Sequence, residues 1–217
     1  MIHLYTPKPT LLFLDIDGVI NSERTGLAFG TYPNYTGRLE SINPELFDKV
    51  AVGMINQLLD YDNMHLVLSS AWRETVTADR CKHMLKTIGI RTDNFLGRTT
   101  EKLSWLDDCE DGQTLRSREI QHFLDNVKTT EGFELLKKDN LIAPPYWAPF
   151  AWENYLIIDD QHVASPKQMK HFVRTSMAEG FGFMHFQRCL KVLKEENPHS
   201  IPQSYSMDFD DRTSYSP

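Results

Sequence analysis

Asp15 and Asp17 stand two residues apart at the end of the apolar run Thr10-Leu-Leu-Phe-Leu14, and Gly18 follows them directly. Residues two apart in an extended strand point the same way, so both carboxylates leave one strand end on one side, and glycine lets the chain turn at once. Two carboxylates in so small a space repel. Both ionise only with a cation between them; otherwise one keeps its proton. Either outcome is useful to phosphoryl transfer. Asp159 and Asp160 close a second apolar run, Tyr155-Leu-Ile-Ile158, in the same fashion. If the two strands are neighbours, three or four carboxylates meet, a set of hard oxygen donors suited to Mg²⁺. The eight histidines include no His-x-x-x-His pair and none beside a cysteine, so zinc is not expected.

The elements that must position these residues alternate along the chain. Besides the two runs above, His65-Leu-Val-Leu-Ser69 and the weaker Asn94-Phe-Leu-Gly97 read as buried strands. Between them lie stripes of helical period: Leu46, Val50, Met54, Ile55, Leu58 and Leu59, opened by Asn43 and Pro44; Cys81, Met84, Leu85 and Ile88, closed by Gly89; Ile120, Phe123, Leu124 and Val127; and Phe186, Cys189, Leu190 and Leu193. The alternation predicts an α/β fold, a Rossmann-like three-layer sandwich with a mainly parallel sheet, in which the polar residues that stop the strands converge. Two stretches depart from it. Residues 21–42 hold Gly26, Gly30 and Gly37 among aromatics and read as a flap, either a hairpin or loop over the site or a plain surface loop. Residues 129–153 end in Ala143-Pro-Pro-Tyr-Trp-Ala-Pro-Phe-Ala-Trp152, too rich in proline for regular structure, with aromatics expected to pin that loop to the body.

Composition bounds what such a site could serve. At 217 residues, 41% apolar and 24% charged, the chain suits one ordinary domain over 1–196, with a mobile Ser/Pro/acidic tail from 197 to 217. No apolar run approaches the ~18 residues of a membrane span and no leader is legible, which makes a cytoplasmic protein with no membrane partner the expectation. Cys81, Cys109 and Cys189 are odd in number and far apart, so three free thiols are expected. A net charge of −7 argues against tight, sequence-independent binding of nucleic acid by the surface as a whole, while leaving room for a local basic patch.

At this point a family becomes recognisable. Leu-Phe-Leu-Asp15-Ile-Asp17-Gly18-Val19 resembles the first motif of the haloacid-dehalogenase superfamily, Leu66-Val-Leu-Ser69-Ser70-Ala-Trp72-Arg73 the second, Arg116-Ser-Arg118-Glu119-Ile120 the third and Ile157-Ile-Asp159-Asp160 the fourth. The Ser-Ser-Ala-Trp-Arg string, Gly97-Arg98-Thr99 and the Arg-x-x-Glu-Ile helix start further resemble the phosphatase domain of multi-part RNA repair proteins. No Gly-x-x-x-x-Gly-Lys loop of a partner kinase is present.

The resemblance implies a phosphate-monoester hydrolase. Asp15 would attack phosphorus, Asp17 would shuttle the proton, and Ser69 would hold the transferring group. Mg²⁺ would sit on Asp15, the Asp17 carbonyl and Asp160, with Asp159 in support. Gly18, Ser70 and Arg73 would face the substrate, though Arg73 could equally pair with an acid. The family's third-motif lysine is replaced here by Arg116 or Arg118, and spacing does not choose between them. The substrate implied is a small phosphorylated molecule, a nucleotide or a phosphorylated nucleic-acid end, and no obligate protein partner is readable. Two rivals remain. One is a binding or scaffold protein that kept the fold and lost catalysis, which the presence of both Asp15 and Asp17 opposes; the other is attack on carbon, which the paired acids fit less well.

Overall fold

A computed structural model of the chain describes residues 9–33, 39–61, 63–103, 113–146 and 148–196. Five parallel strands form one sheet: β1 (Thr10–Leu14), β2 (Met64–Leu68), β3 (Phe95–Arg98), β4 (Asn154–Asp159) and β5 (Phe172–Arg174), in the spatial order β3-β2-β1-β4-β5. The helices are α1 (Glu23–Phe29), α2 (Lys49–Leu59), α3 (Ala78–Ile88), α4 (Leu115–Asn126), α5 (Thr130–Lys138) and α6 (Phe183–Glu196).

Alternation along the strands explains why there are two cores. Leu12 and Leu14 face one way with Leu66, Leu68, Leu156 and Ile158, and α2, α3 and α6 cover them with Ile55, Leu85 and Cys189. Leu11 and Phe13 face the other way with Val67 and Ile157, under Phe123 of α4 and Phe133 of α5. A strand sealed on both faces must be apolar throughout, and all five residues of β1 are buried. The expected three-layer α/β sandwich is therefore present. Cys81 and Cys189 are free thiols buried in the first core; Cys109 lies outside the described residues. No helix among the described residues is long and apolar enough to cross a membrane.

Several local expectations need correcting. Asn43 and Pro44 open only a 3-10 turn, Pro44–Leu46; α2 starts at Lys49, where Asp48 accepts bonds from the Val50 and Ala51 amides, and Val50 points to solvent. The first part of the supposedly irregular 129–153 stretch is α5, capped by Thr129. Its proline-rich end does pin the body: Trp152 donates to the Leu124 carbonyl, and Tyr146 and Phe150 pack around His65. The described part of the 21–42 stretch holds a helix, since Ser22 and Thr25 form a reciprocal cap that starts α1, and Gly30 ends it at φ 72°. Leu27 and Phe29 stay exposed, so α1 shows no core-facing stripe to betray it. The three-residue β5 is too short to register as a pattern. Residues 34–38 of the flap and the 197–217 tail lie outside the described residues.

Candidate active site

The strand order does the positioning. In register, Leu14 of β1 pairs with Leu68 of β2 and with Ile158 of β4, so Asp15, Ser69 and Asp159 come level at one edge. Hydrogen bonds carry the register past the strand ends: the Asp15 amide donates to the Ile158 carbonyl at 3.0 Å and the Ser69 amide to the Leu14 carbonyl at 2.8 Å. Between β1 and β4 the order reverses, the switch point at which α/β sheets gather ligands.

Asp15, Asp159 and Asp160 each offer a carboxylate oxygen, and these oxygens lie within 4.8 Å of one another. Asp159 is pushed up to about 8, by burial first and the Asp15 charge second; Asp15 is raised to about 6 by burial, against the pull of Arg116 and a hydrogen bond from Ser70. Asp160 is raised as well, mainly by burial. Three acids that resist ionising together are what a hard divalent cation relieves, and the donor set fits Mg²⁺. Gly18 makes the approach possible. At φ +68° it is in the left-handed region, and a Cβ there would stand 2.5 Å from the Asp160 Cβ and Cγ. Its importance is thus spatial, while its carbonyl accepts from Thr175 Oγ1 at 2.7 Å.

The side chain of Asp17 is outside this trio and held by two donors. Trp72 Nε1 donates to its Oδ2 at 2.8 Å, and Asn21 Nδ2 to its Oδ1 at 2.7 Å. Trp72 packs edge-on against Phe47, and its indole nitrogen also orients the shuttle candidate. Asn21 was missed; its one signal is its position four residues after Asp17 in the turn that Gly18 begins. Tyr32, beyond α1, also feels the Asp17 charge, which helps to raise its hydroxyl after the effects of burial and Glu23.

Of the two third-motif arginines, Arg116 reaches the strand ends. Its guanidinium donates to the Ser69 carbonyl and lies 3.7 Å from Asp159 Oδ2 and 3.4 Å from Glu119 Oε2. Arg118 stands two residues further along α4, roughly 200° around the helix axis from Arg116. The Thr114 cap and its partner Ser117 fix the start of α4, and Thr114 Oγ1 ties it to the Val163 carbonyl beyond β4. The Ser69 hydroxyl is buried without a hydrogen-bond partner among the described residues, an orphan that a ligand oxygen would satisfy.

Arg73 pairs with an acid. It is 2% exposed, pairs with Glu119 at 2.5 Å, and donates to the carbonyls of Ser70, Thr99 and Thr100. It braces the β2 loop against α4. Burial lowers Arg73 and raises Glu119, so each keeps the other charged against desolvation. Truncation would strand Glu119: Arg73→Met is expected to cost ~3–5 kcal/mol in urea unfolding, with most of it recovered in Arg73→Met/Glu119→Leu. A single variant within about 1 kcal/mol of wild type would exclude the brace.

A family model described as the HAD domain in Swiss Army Knife RNA repair proteins matches residues 11–185, which take in the strands from the second residue of β1 onward and every residue of the site. No curated protein and no solved structure gives a significant match. On that match, and on a five-strand parallel sheet that gathers the four motif ends at one edge, the chain belongs to the family of HAD domains of Swiss Army Knife RNA repair proteins.

Proposed function

We propose that the protein is a Mg²⁺-dependent phosphatase of phosphate monoesters, working through an aspartyl-phosphate on Asp15, with a nucleotide or a phosphorylated nucleic-acid end as substrate. The observation that carries this reading is the carboxylate trio beside the orphaned Ser69 hydroxyl at the end of β1. The family's description supports a substrate related to nucleic acid.

An Asp15 oxygen would form the new bond to phosphorus as the ester oxygen leaves, and Asp17, held by Trp72 and Asn21, would give that oxygen its proton. In the second step water would attack phosphorus, the bond to Asp15 would break, and Asp17 would take the proton of the water. Ser69 and Arg116 would hold the phosphoryl oxygens. Arg116 brings a planar fork where a lysine is usual, and its placement against the Ser69 carbonyl and Asp159 gives that fork a fixed direction. Asp15, Asp160, Asp159 and the Asp17 carbonyl would hold Mg²⁺, which when bound supplies positive charge to the transferring group.

Phosphate release from p-nitrophenyl phosphate tests the reading. It is expected with Mg²⁺ and abolished by EDTA; equal release in EDTA, or none under either condition, would refute it. Comparing nucleoside monophosphates with 3′- and 5′-phosphorylated oligonucleotides then assigns the leaving group.

The acid trio also predicts a pH effect on stability. Because Asp15 and Asp159 have folded pKa values raised above the ordinary ~3.9, their contribution is present in full below pH ~4 and is lost as pH rises through the values near 6 and 8. Metal-free protein should therefore lose thermal stability from about pH 4 to pH 8 on account of these groups. A fixed Mg²⁺ concentration, 100 times the Kd at pH 8, should raise Tm by roughly 5–10 °C at pH 8 and by less at pH 5, where binding is weaker. A Mg²⁺ shift independent of pH, or absent, would count against the trio as the metal site.

A further inference from the structure

Outside the catalytic edge, a concave surface runs along the open side of the sheet, where β5 and α6 meet. This groove of about 520 Å³ is lined by Lys170, Arg174, Arg188 and Lys191, together with His162 and the flank of Phe172. All four cations are exposed, and no acidic side chain is among the described residues that line the groove, in a chain whose net charge is −7. Arg188 and Lys191 are three residues apart on α6 and so share one face.

Two contacts join the groove to the site. His162 lines both the groove and a second cleft of about 320 Å³, which is walled by Thr114, Arg116, Glu119 and Gln161. Arg174 lines the groove and donates from Nε to the Asp160 carbonyl at 3.0 Å. At the junction, the exposed His162 ring sits 6.3 Å from Phe172 at 61°. A row of cations that ends at aromatic faces beside a phosphate-handling site has the chemistry of a single-strand track: positive charge for successive phosphodiesters and a ring face for a base.

We infer that the β5–α6 groove binds the sugar-phosphate backbone of a single nucleic-acid strand and leads its phosphorylated end to Asp15. The inference rests on the phosphatase reading for the reacting end and adds the polymer that carries it. A polynucleotide would then be the substrate class, and a mononucleotide, which spans less of the groove while its phosphate is at Asp15, would be handled less well.

The test uses the full chain, a fluorescein-labelled single-stranded 12-mer carrying a terminal phosphate, and anisotropy in the presence of Mg²⁺. Asp15→Asn protein is used so that the strand stays intact. Binding is expected to weaken with salt, with a log–log slope of ~0.7 for each groove cation that reaches a phosphate. Arg188→Glu/Lys191→Glu, both on the solvent side of α6, should weaken binding at least tenfold and flatten the slope. Lys86→Glu/Lys138→Glu, which changes net charge equally elsewhere, should stay within about twofold. In turnover, the first pair should lower the ratio of oligonucleotide to p-nitrophenyl phosphate kcat/KM at least tenfold.

Affinity unchanged by the α6 pair, equal losses from both pairs, or a nucleoside monophosphate turned over as well as the 12-mer would overturn the assignment. Failure to hydrolyse any phosphate while the groove still binds the strand would sink the phosphatase reading and leave the groove standing.

Discussion

Asparagine at position 15 is expected to abolish phosphate release, lowering kcat by at least about 10⁴-fold, because an amide cannot form the acyl-phosphate bond on which both steps depend. The fold should not suffer. Asp15 is buried against Asp159, and its charge is one cause of the raised Asp159 pKa. Replacing it with a neutral isostere removes that repulsion, so Tm at pH 8 in EDTA should match or exceed that of the wild type. Activity and stability thus move in opposite directions, which separates a lost nucleophile from a damaged protein. Robust turnover by Asp15→Asn would eliminate the covalent route, and a collapsed Tm would make the loss uninformative about chemistry and contradict the electrostatic account of the trio.

Asp17→Asn is expected to slow turnover of an alkyl phosphate by ~10²–10⁴-fold, since no group remains to protonate the leaving oxygen or deprotonate the attacking water. The loss should depend on the step. With p-nitrophenyl phosphate the leaving phenolate needs little help, so attack by Asp15 survives while hydrolysis of the intermediate stalls. The observable is a burst of one nitrophenolate per protein followed by a slow phase. Asn21 and Trp72 both donate to this carboxylate, so the asparagine amide leaves one of them facing a donor, and part of the loss comes from misorientation. Trp72→Phe isolates that part. An Asp17→Asn enzyme with an unchanged steady rate on an alkyl phosphate would reassign the shuttle.

Much of this was legible because the strands and the chemistry share a signal. A strand buried on both faces has no polar alternation, so Asp15, Ser69 and Asp159 stand out as the places where an apolar run stops, and the α/β alternation implies that such stops converge. What was not legible depends on contacts between distant segments. Arg73 reads as a cation just past a strand, and only the meeting of the β2 loop with α4 shows that Glu119 occupies it. That Arg116 reaches the strand ends follows from how the Thr114 cap sets the rotation of α4 against β2 and β4. α1 escaped notice because its stability comes from a cap and from bonds of the Glu23 and Arg24 amides to the Met177 and Ala178 carbonyls, with no apolar stripe. The basic groove could not be read from overall charge, since its cations come from segments 162–174 and 188–191 brought together by β5 and α6.

The most direct test of the central claim is chemical trapping of the intermediate at position 15. Asp17→Asn protein is mixed with p-nitrophenyl phosphate and Mg²⁺, quenched in acid during the burst, and treated with borohydride, which reduces an acyl-phosphate to an alcohol; the peptide carrying residue 15 is then examined by mass spectrometry. Homoserine in place of Asp15, formed with Mg²⁺ and absent in EDTA, is the predicted result. Nitrophenolate release with Asp15 unmodified, or reduction at a different acid, would contradict the account.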